Sequence, residues 1–289
     1  MVTAMSHGVS MDAAATGASR VDGKVILVSG GTQGLGAATA RLLAARGAAG
    51  LVLAGRSRAD GQALAAELTS KMTKAIFIEA ELADPDAVAE VIATTDETFG
   101  VVHGLANIAA CTDRGDVWNT DVALWDRLMN LNVRTPFLML QGVARIMVRE
   151  QVAGSVVTIG SMTGHGGQHF LFPYAVSKGA LHTFTKNAAY ALMRDRIRVN
   201  LLNLGWMDTP AEHSIQVGFH GLAQDWLVEA EAAQPFGRLI KPQEAARVIT
   251  FLLSNESGMM TGVSLDYDQA VEGAGDAPKP PPNLNTHST

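Results

Sequence analysis

Tyr174 and Lys178 stand four residues apart where a stretch of helical period begins, SKGALHTFTKNAAYALM, so their side chains project from one helix face. A free phenol loses its proton near pH 10, and a neighbouring ammonium lowers that value by favouring the phenolate. The pair is thereby suited to general acid/base work, although Tyr and Lys at this spacing also occur in ordinary helices. A second centre is Ser29-Gly30-Gly31-Thr32-Gln33-Gly34-Leu35-Gly36, which follows the apolar run KVILVS and opens the helix AATARLLAAR. Such a turn aims free N–H groups and the positive end of a helix dipole at one point, which suits a pyrophosphate. Gly30 and Gly34 can adopt angles closed to other residues, and Gly36 lets the helix approach the sheet. After the next apolar run, LVLA, come Gly55, Arg56, Ser57 and Arg58. An acid at that strand end would bond the ribose hydroxyls of NAD, whereas arginine forks suit the 2′-phosphate of NADP, so NADP(H) is favoured and NAD(H) stays open.

These groups need a frame that brings strand ends together. Short apolar runs at 24–29, 51–54, 75–79, 104–109, 155–160, 198–204 and 262–267 alternate with Ala- and Leu-rich segments of helical period. Most runs are apolar on both faces, as in a parallel sheet covered on each side. The alternation is unbroken, which predicts one α/β domain, doubly wound, over residues 21–272, with a parallel sheet of about seven strands and helices on both faces. Residues 1–20 read as a flexible leader and the Pro-rich 273–289 as a disordered tail. Residues 211–231, too polar and irregular for a core crossover, read as a lid over a pocket. Pro136 removes the N–H that would bond the Asn132 carbonyl in a continuous helix, which predicts a kink there.

Composition sets the outer limits. The 289 residues carry 22 Lys plus Arg against 28 Asp plus Glu, a net charge of −6, and only 17% are charged. That balance argues against nucleic acid or an anionic membrane surface as partner and leaves a small-molecule substrate. The single cysteine, Cys111, excludes an intramolecular disulfide and a Cys-rich zinc site, and no base for it is evident. No apolar run is long enough to span a bilayer and the N-terminus lacks a secretory pattern, so a cytoplasmic location is expected. His165 and His169 bracket GHGGQH without a carboxylate between them, which argues against a metal site.

The glycine spacing G-x-x-x-G-x-G, with Ser29 before it, resembles the TGxxxGxG signature of the short-chain dehydrogenase/reductase family, in its compact single-domain branch. Further landmarks run in order from about Val21 to Val271: Asn107-Ile108-Ala109-Ala110 for the NNAG element, Ser161, the Tyr174–Lys178 pair, and Gly205 to Thr209 for PG-x-x-x-T. The resemblance implies a Rossmann-type fold and reversible hydride transfer between a nicotinamide and an alcohol or carbonyl carbon. It assigns Asn132, Ser161, Tyr174 and Lys178 as a catalytic tetrad: Asn132 holds a relay water, Ser161 the substrate oxygen, and Lys178 also the nicotinamide ribose. It implies cofactor contacts from Ser29, Gly30, Thr32, Gln33, Gly34, Leu35, Gly36, Arg56, Glu81, Leu82, Asn107, Met207 and Thr209, and a homotetramer. Departures are Glu81 for the usual Asp, Leu204 for Pro, and Asp268-Gln269-Ala270 for DGG. The polar and aromatic groups of the lid and nearby turns, among them Trp206, His213, Gln216 and Trp226, favour a sugar, polyol or hydroxy acid. The rival reading is a dinucleotide-binding regulator that has kept the fold and lost the reaction.

Overall fold

Seven strands, β1 (Val25–Ser29), β2 (Gly50–Gly55), β3 (Lys74–Glu79), β4 (Gly104–Asn107), β5 (Ser155–Ser161), β6 (Arg198–Leu204) and β7 (Ser264–Tyr267), form one parallel sheet in the order β3-β2-β1-β4-β5-β6-β7. The coordinates are a computed structural model and describe residues 19–272; the tail at 273–289, and the leader apart from Ser19 and Arg20, lie outside the described residues.

Helices cover both faces, which is why the central strands lack a polar side. Ile26, Val28, Leu51 and Leu53 point into one core with α1 (Gly34–Ala45), α2 (Arg58–Leu68) and α9 (Pro242–Leu253). Leu27, Val52, Leu105 and Val156 point into the other with α3 (Pro85–Phe99) and α5 (Thr135–Arg149). Each of these strand residues is fully buried, an environment that contributes about 1.5–3 kcal/mol per Leu, Ile or Val side chain.

The strand order reverses beside β1, where β1 pairs with both β2 and β4. In parallel α/β sheets such a switch point opens a crevice at the carboxyl ends of the strands. β4 is two residues shorter than the sequence suggests, because the Ile108 and Ala109 amides turn to donate to Ser29, onto its carbonyl at 3.3 and 3.1 Å and its Oγ at 3.1 and 3.3 Å.

Between α4 (Val122–Met129) and α5 the chain makes one wide turn, Asn130–Arg134, whose amides reach back five residues, with Pro136 in the first turn of α5. The expected kink is this widened turn. The expected irregular lid is largely helical: α7 spans Pro210–Gly218 and α8 spans Trp226–Ala232. Thr209 caps α7 by accepting the Glu212 amide at 3.1 Å, and Pro210 supplies a preset first turn. The remaining helix, α6 (Phe172–Leu192), packs along β5 and β6.

Candidate active site

The glycine turn sits on the switch point, and its geometry admits little else. Gly30 has φ of +69°, and a Cβ there would lie 2.8 Å from the Ala109 backbone. At Gly36 a Cβ would come within 2.0 Å of the Gly30 carbonyl oxygen, so α1 could not approach. α1 has no side-chain cap at Gln33 and no acid in its first turn, which leaves its leading amides available to an anion. A cleft of about 410 Å³ opens there, lined by Gly30, Thr32, Gln33, Gly34, Leu35 and Gly36 from the turn. Its walls include Arg56, Glu81 and Leu82 from the ends of β2 and β3, with Thr209 opposite. These residues fit the pyrophosphate and adenosine of a dinucleotide: a glycine cradle at one end and an arginine at the other.

Three expected cofactor residues lie beside that lining. Ser29 is buried beneath it, holding the Ile108 and Ala109 amides through its Oγ. Asn107, 3% exposed, reaches the Pro136 carbonyl and Thr158 Oγ1, each at 3.5 Å, and so ties β4 to β5 and α5. Met207 forms a backbone bridge with Ile240 and packs against the core. The two arginines also part company. Arg58 is drawn to Glu79, with Nε at 2.6 Å, whereas Arg56 is 77% exposed and only 3.8 Å from Glu81.

Ser161, Tyr174, Lys178 and Asn132 converge at the ends of β5 and α6. Ser161 Oγ accepts from the Thr163 amide at 3.2 Å and from Thr163 Oγ1 at 2.9 Å, which leaves its own proton for Tyr174 or for a substrate oxygen beside it. Burial pushes the Tyr174 phenol up to about 12, while its hydrogen bond with Ser161 acts in the opposite direction. Burial brings Lys178 down to about 8; its Nζ donates to the Ile159 carbonyl at 2.7 Å and stands 5.6 Å from the centre of the Tyr174 ring. The expected lowering of the phenol by the ammonium is not what the site shows: burial raises the phenol, and the cation that acts against the rise is Arg114.

Asn132 is a clamp. Its Oδ1 accepts the Cys111 amide at 2.8 Å, and its Nδ2 donates to the Cys111 carbonyl at 2.9 Å and to Ser177 Oγ at 3.0 Å. Ser177 in turn donates to the Tyr174 carbonyl at 2.7 Å, so the loop after β4 and the first turn of α6 are fixed to one side chain.

Residues of the expected lid and of the nearby turns separate into two groups. Trp226, 5% exposed, stacks on Trp206 at 5.7 Å and donates to His213 Nδ1 at 2.9 Å. His165 instead faces Asp266 and Glu272, each at 2.9 Å. Folding thus supplies the carboxylates that the sequence between His165 and His169 lacks, and the three side chains form a metal-capable group that is exposed. Gln269 of the atypical Asp268-Gln269-Ala270 end accepts from the Phe236 amide at 2.8 Å and donates to the Arg238 carbonyl at 2.8 Å, fastening the chain after α8. Thr163 and Arg114 escaped the sequence reading. Thr163 had a local signal, a hydroxyl two residues after Ser161; Arg114 had none.

A family model described as enoyl-(acyl carrier protein) reductase matches residues 18–271. The chain belongs to the short-chain dehydrogenase/reductase family. Similar members of that family include trans-4-hydroxycyclohexanecarboxylate dehydrogenase of Sinomonas cyclohexanicum, 31% identical over 86% of this chain and 93% of the relative. The 3-alpha-(or 20-beta)-hydroxysteroid dehydrogenase of Mycobacterium tuberculosis is 30% identical over 86% of this chain and 89% of its own. Among solved structures, a Serratia marcescens short-chain dehydrogenase/reductase variant superposes with a TM-score of 0.77 at 29% identity, covering 86% of this chain and 97% of that one. As a short-chain dehydrogenase/reductase the chain has an oxidoreductase fold for hydroxy or carbonyl compounds. No helix among the described residues is long and apolar enough to cross a membrane.

Proposed function

We propose that the protein is an NADP(H)-preferring oxidoreductase that interconverts an alcohol and a carbonyl on a small polar substrate, a sugar, polyol or hydroxy acid. The observation that carries the reading is the convergence of Ser161, Tyr174 and Lys178 next to a glycine-only cradle, with Asn132 fixing both loop and helix. The nicotinamide supplies or accepts the hydride when bound. Ser161 turns its proton from Tyr174 to the substrate oxygen, and Tyr174 gives that oxygen a proton in reduction and removes one in oxidation. Lys178, enclosed under the Tyr174 ring, offsets phenolate charge as it develops.

The NADP(H) preference rests on Arg56, which is exposed at the cleft and loosely held, while the end of β2 carries Gly55 in place of an acid. Polar substrates are favoured by Trp206, Glu212 and His213 on and beside α7, and by the resemblance to a dehydrogenase named for a hydroxy acid. A homotetramer is proposed from the family resemblance, and an apolar face on α5 and α6 offers one contact between copies.

The test is turnover of Tyr174→Phe with NADP(H) and NAD(H) against a panel of polyols, sugars, hydroxy acids and ketones. The expected result is a loss of about 10³-fold or more in kcat with dinucleotide affinity retained. Undiminished turnover in the variant would remove Tyr174 from the chemistry. A wild-type protein that binds the dinucleotide and turns over nothing in the panel would favour the regulator.

A further inference from the structure

Arg114 is a guanidinium beside the reacting centre that none of the roles above employs. Its side chain is only 9% exposed. Gly115 fixes its place: the Gly115 amide donates to the Phe170 carbonyl at 3.0 Å and its carbonyl accepts the Phe172 amide at 2.9 Å. The loop carrying Arg114 is thereby fastened to the chain entering α6, just before Tyr174. The positive charge reaches the phenol and acts against the burial that raises it.

Buried cations normally have their donors met. Here Nη1 donates to the Thr112 carbonyl at 2.6 Å, Nη2 stands 3.9 Å from Glu212 Oε1, and Nε is enclosed without an acceptor. Glu212 comes no closer because the same oxygen accepts from Trp206 Nε1 at 2.8 Å and from Gln216 Nε2 at 2.6 Å. The Nε–Nη2 edge, whose two parallel N–H groups match a carboxylate, is the under-paired one.

We propose that Arg114 recognises a carboxylate on the substrate, taking it on the edge that Glu212 faces without bonding. The inference rests on the hydride-transfer reading and narrows its substrate to a hydroxy or oxo acid. Glu212 rides on α7, and neither α7 nor α8 packs broadly on another helix or strand. Entry of the acid moves α7 aside, and the substrate carboxylate replaces that of Glu212 as the partner of Arg114. Trp206, bonded to Glu212, reports the exchange. A neutral alcohol of the same shape leaves the guanidinium as under-paired as before, so the site distinguishes acids from amides and esters.

Two measurements test this independently. In the first, cyclohexanecarboxylate is titrated into the protein without cofactor while tryptophan fluorescence is read. A saturable change is expected in the wild type, absent in Arg114→Gln and in Trp206→Phe, and absent when cyclohexanecarboxamide is the titrant. In the second, kcat/KM is compared for 4-hydroxycyclohexanecarboxylate and its carboxamide. The acid-to-amide ratio should collapse about 100-fold in Arg114→Gln, mainly through KM, with Arg114→Lys in between. Equal losses on both probes, or the same titration curve in Arg114→Gln as in the wild type, would overturn the proposal. Absence of turnover with every alcohol and carbonyl would count against the hydride-transfer reading, and the fluorescence titration would then decide the role of Arg114 by itself.

Discussion

At the scale of single residues, burial sets the protonation states of the site. The Tyr174 phenol, pushed to about 12, is neutral at physiological pH and so poised as a proton donor to a carbonyl. Lys178 is held below its ordinary value by lost hydration, so the folded protein gives up that proton as the pH rises through about 8. Below that pH the ammonium is present to balance a forming phenolate. Carbonyl reduction should accordingly hold level from about pH 6 to about pH 7.5 and decline above about pH 8 in the pH profile of kcat/KM. Lys178→Arg, charged throughout, should react more slowly but without that decline. A wild-type profile level to about pH 9.5 would count against this assignment. The spacing of Tyr174 and Lys178 was legible in the sequence, whereas the sense of the phenol's shift was not. Desolvation depends on what α6 packs against, which includes the end of β5 and the loop after β4.

At the scale of elements, the wide turn at Asn130–Arg134 aims the clamp. Pro136 lacks the N–H that would claim the Asn132 carbonyl in a regular helix, so the chain widens and the Asn132 side chain reaches Cys111 and Ser177. Replacing Pro136 with Ala restores a donor and allows α4 to run regularly into α5. The variant should be about 1–3 kcal/mol less stable to thermal unfolding and about tenfold slower in the proton-transfer step, because Asn132 would swing away from both partners. An unchanged pH–rate profile with unchanged kcat would refute this. The proline was readable as a helix interruption. The clamp was not, since Cys111, Asn132 and Ser177 are far apart in the chain and meet only through the order of β4, β5 and α6. The lid shows the opposite limit: Thr209, Pro210 and Glu212 together are a helix-start signal, but a polar composition hid it.

At the scale of the whole molecule, one face of α5 and α6 gathers apolar side chains around a groove. Phe137 and Val148 are 47% and 46% exposed, and with Leu140, Ala144, Phe184 and Ala188 they border an apolar groove of about 800 Å³. Exposed apolar surface of this kind suits an interaction site, and a second copy presenting the same face would bury it symmetrically. Val148→Glu should therefore shift sedimentation toward smaller species while leaving the thermal unfolding of the protomer nearly unchanged. A wild type that sediments as a monomer at micromolar concentration would rule the interface out.

The strand runs, the glycine turn, the Tyr174–Lys178 pair and the Gly55 that ends β2 in place of an acid were determined by sequence alone, because each depends on residues adjacent in the chain or one helical turn apart. Tertiary structure alone decided which groups share a boundary. It brought Asp266 and Glu272 to His165, held Arg58 on Glu79 while leaving Arg56 at the cleft, and enclosed Arg114 between Thr112 and Glu212. The physical reason is common to all three. Local spacing fixes the direction of a side chain, but its hydration and its partners are set by whichever distant segment the sheet order delivers to it.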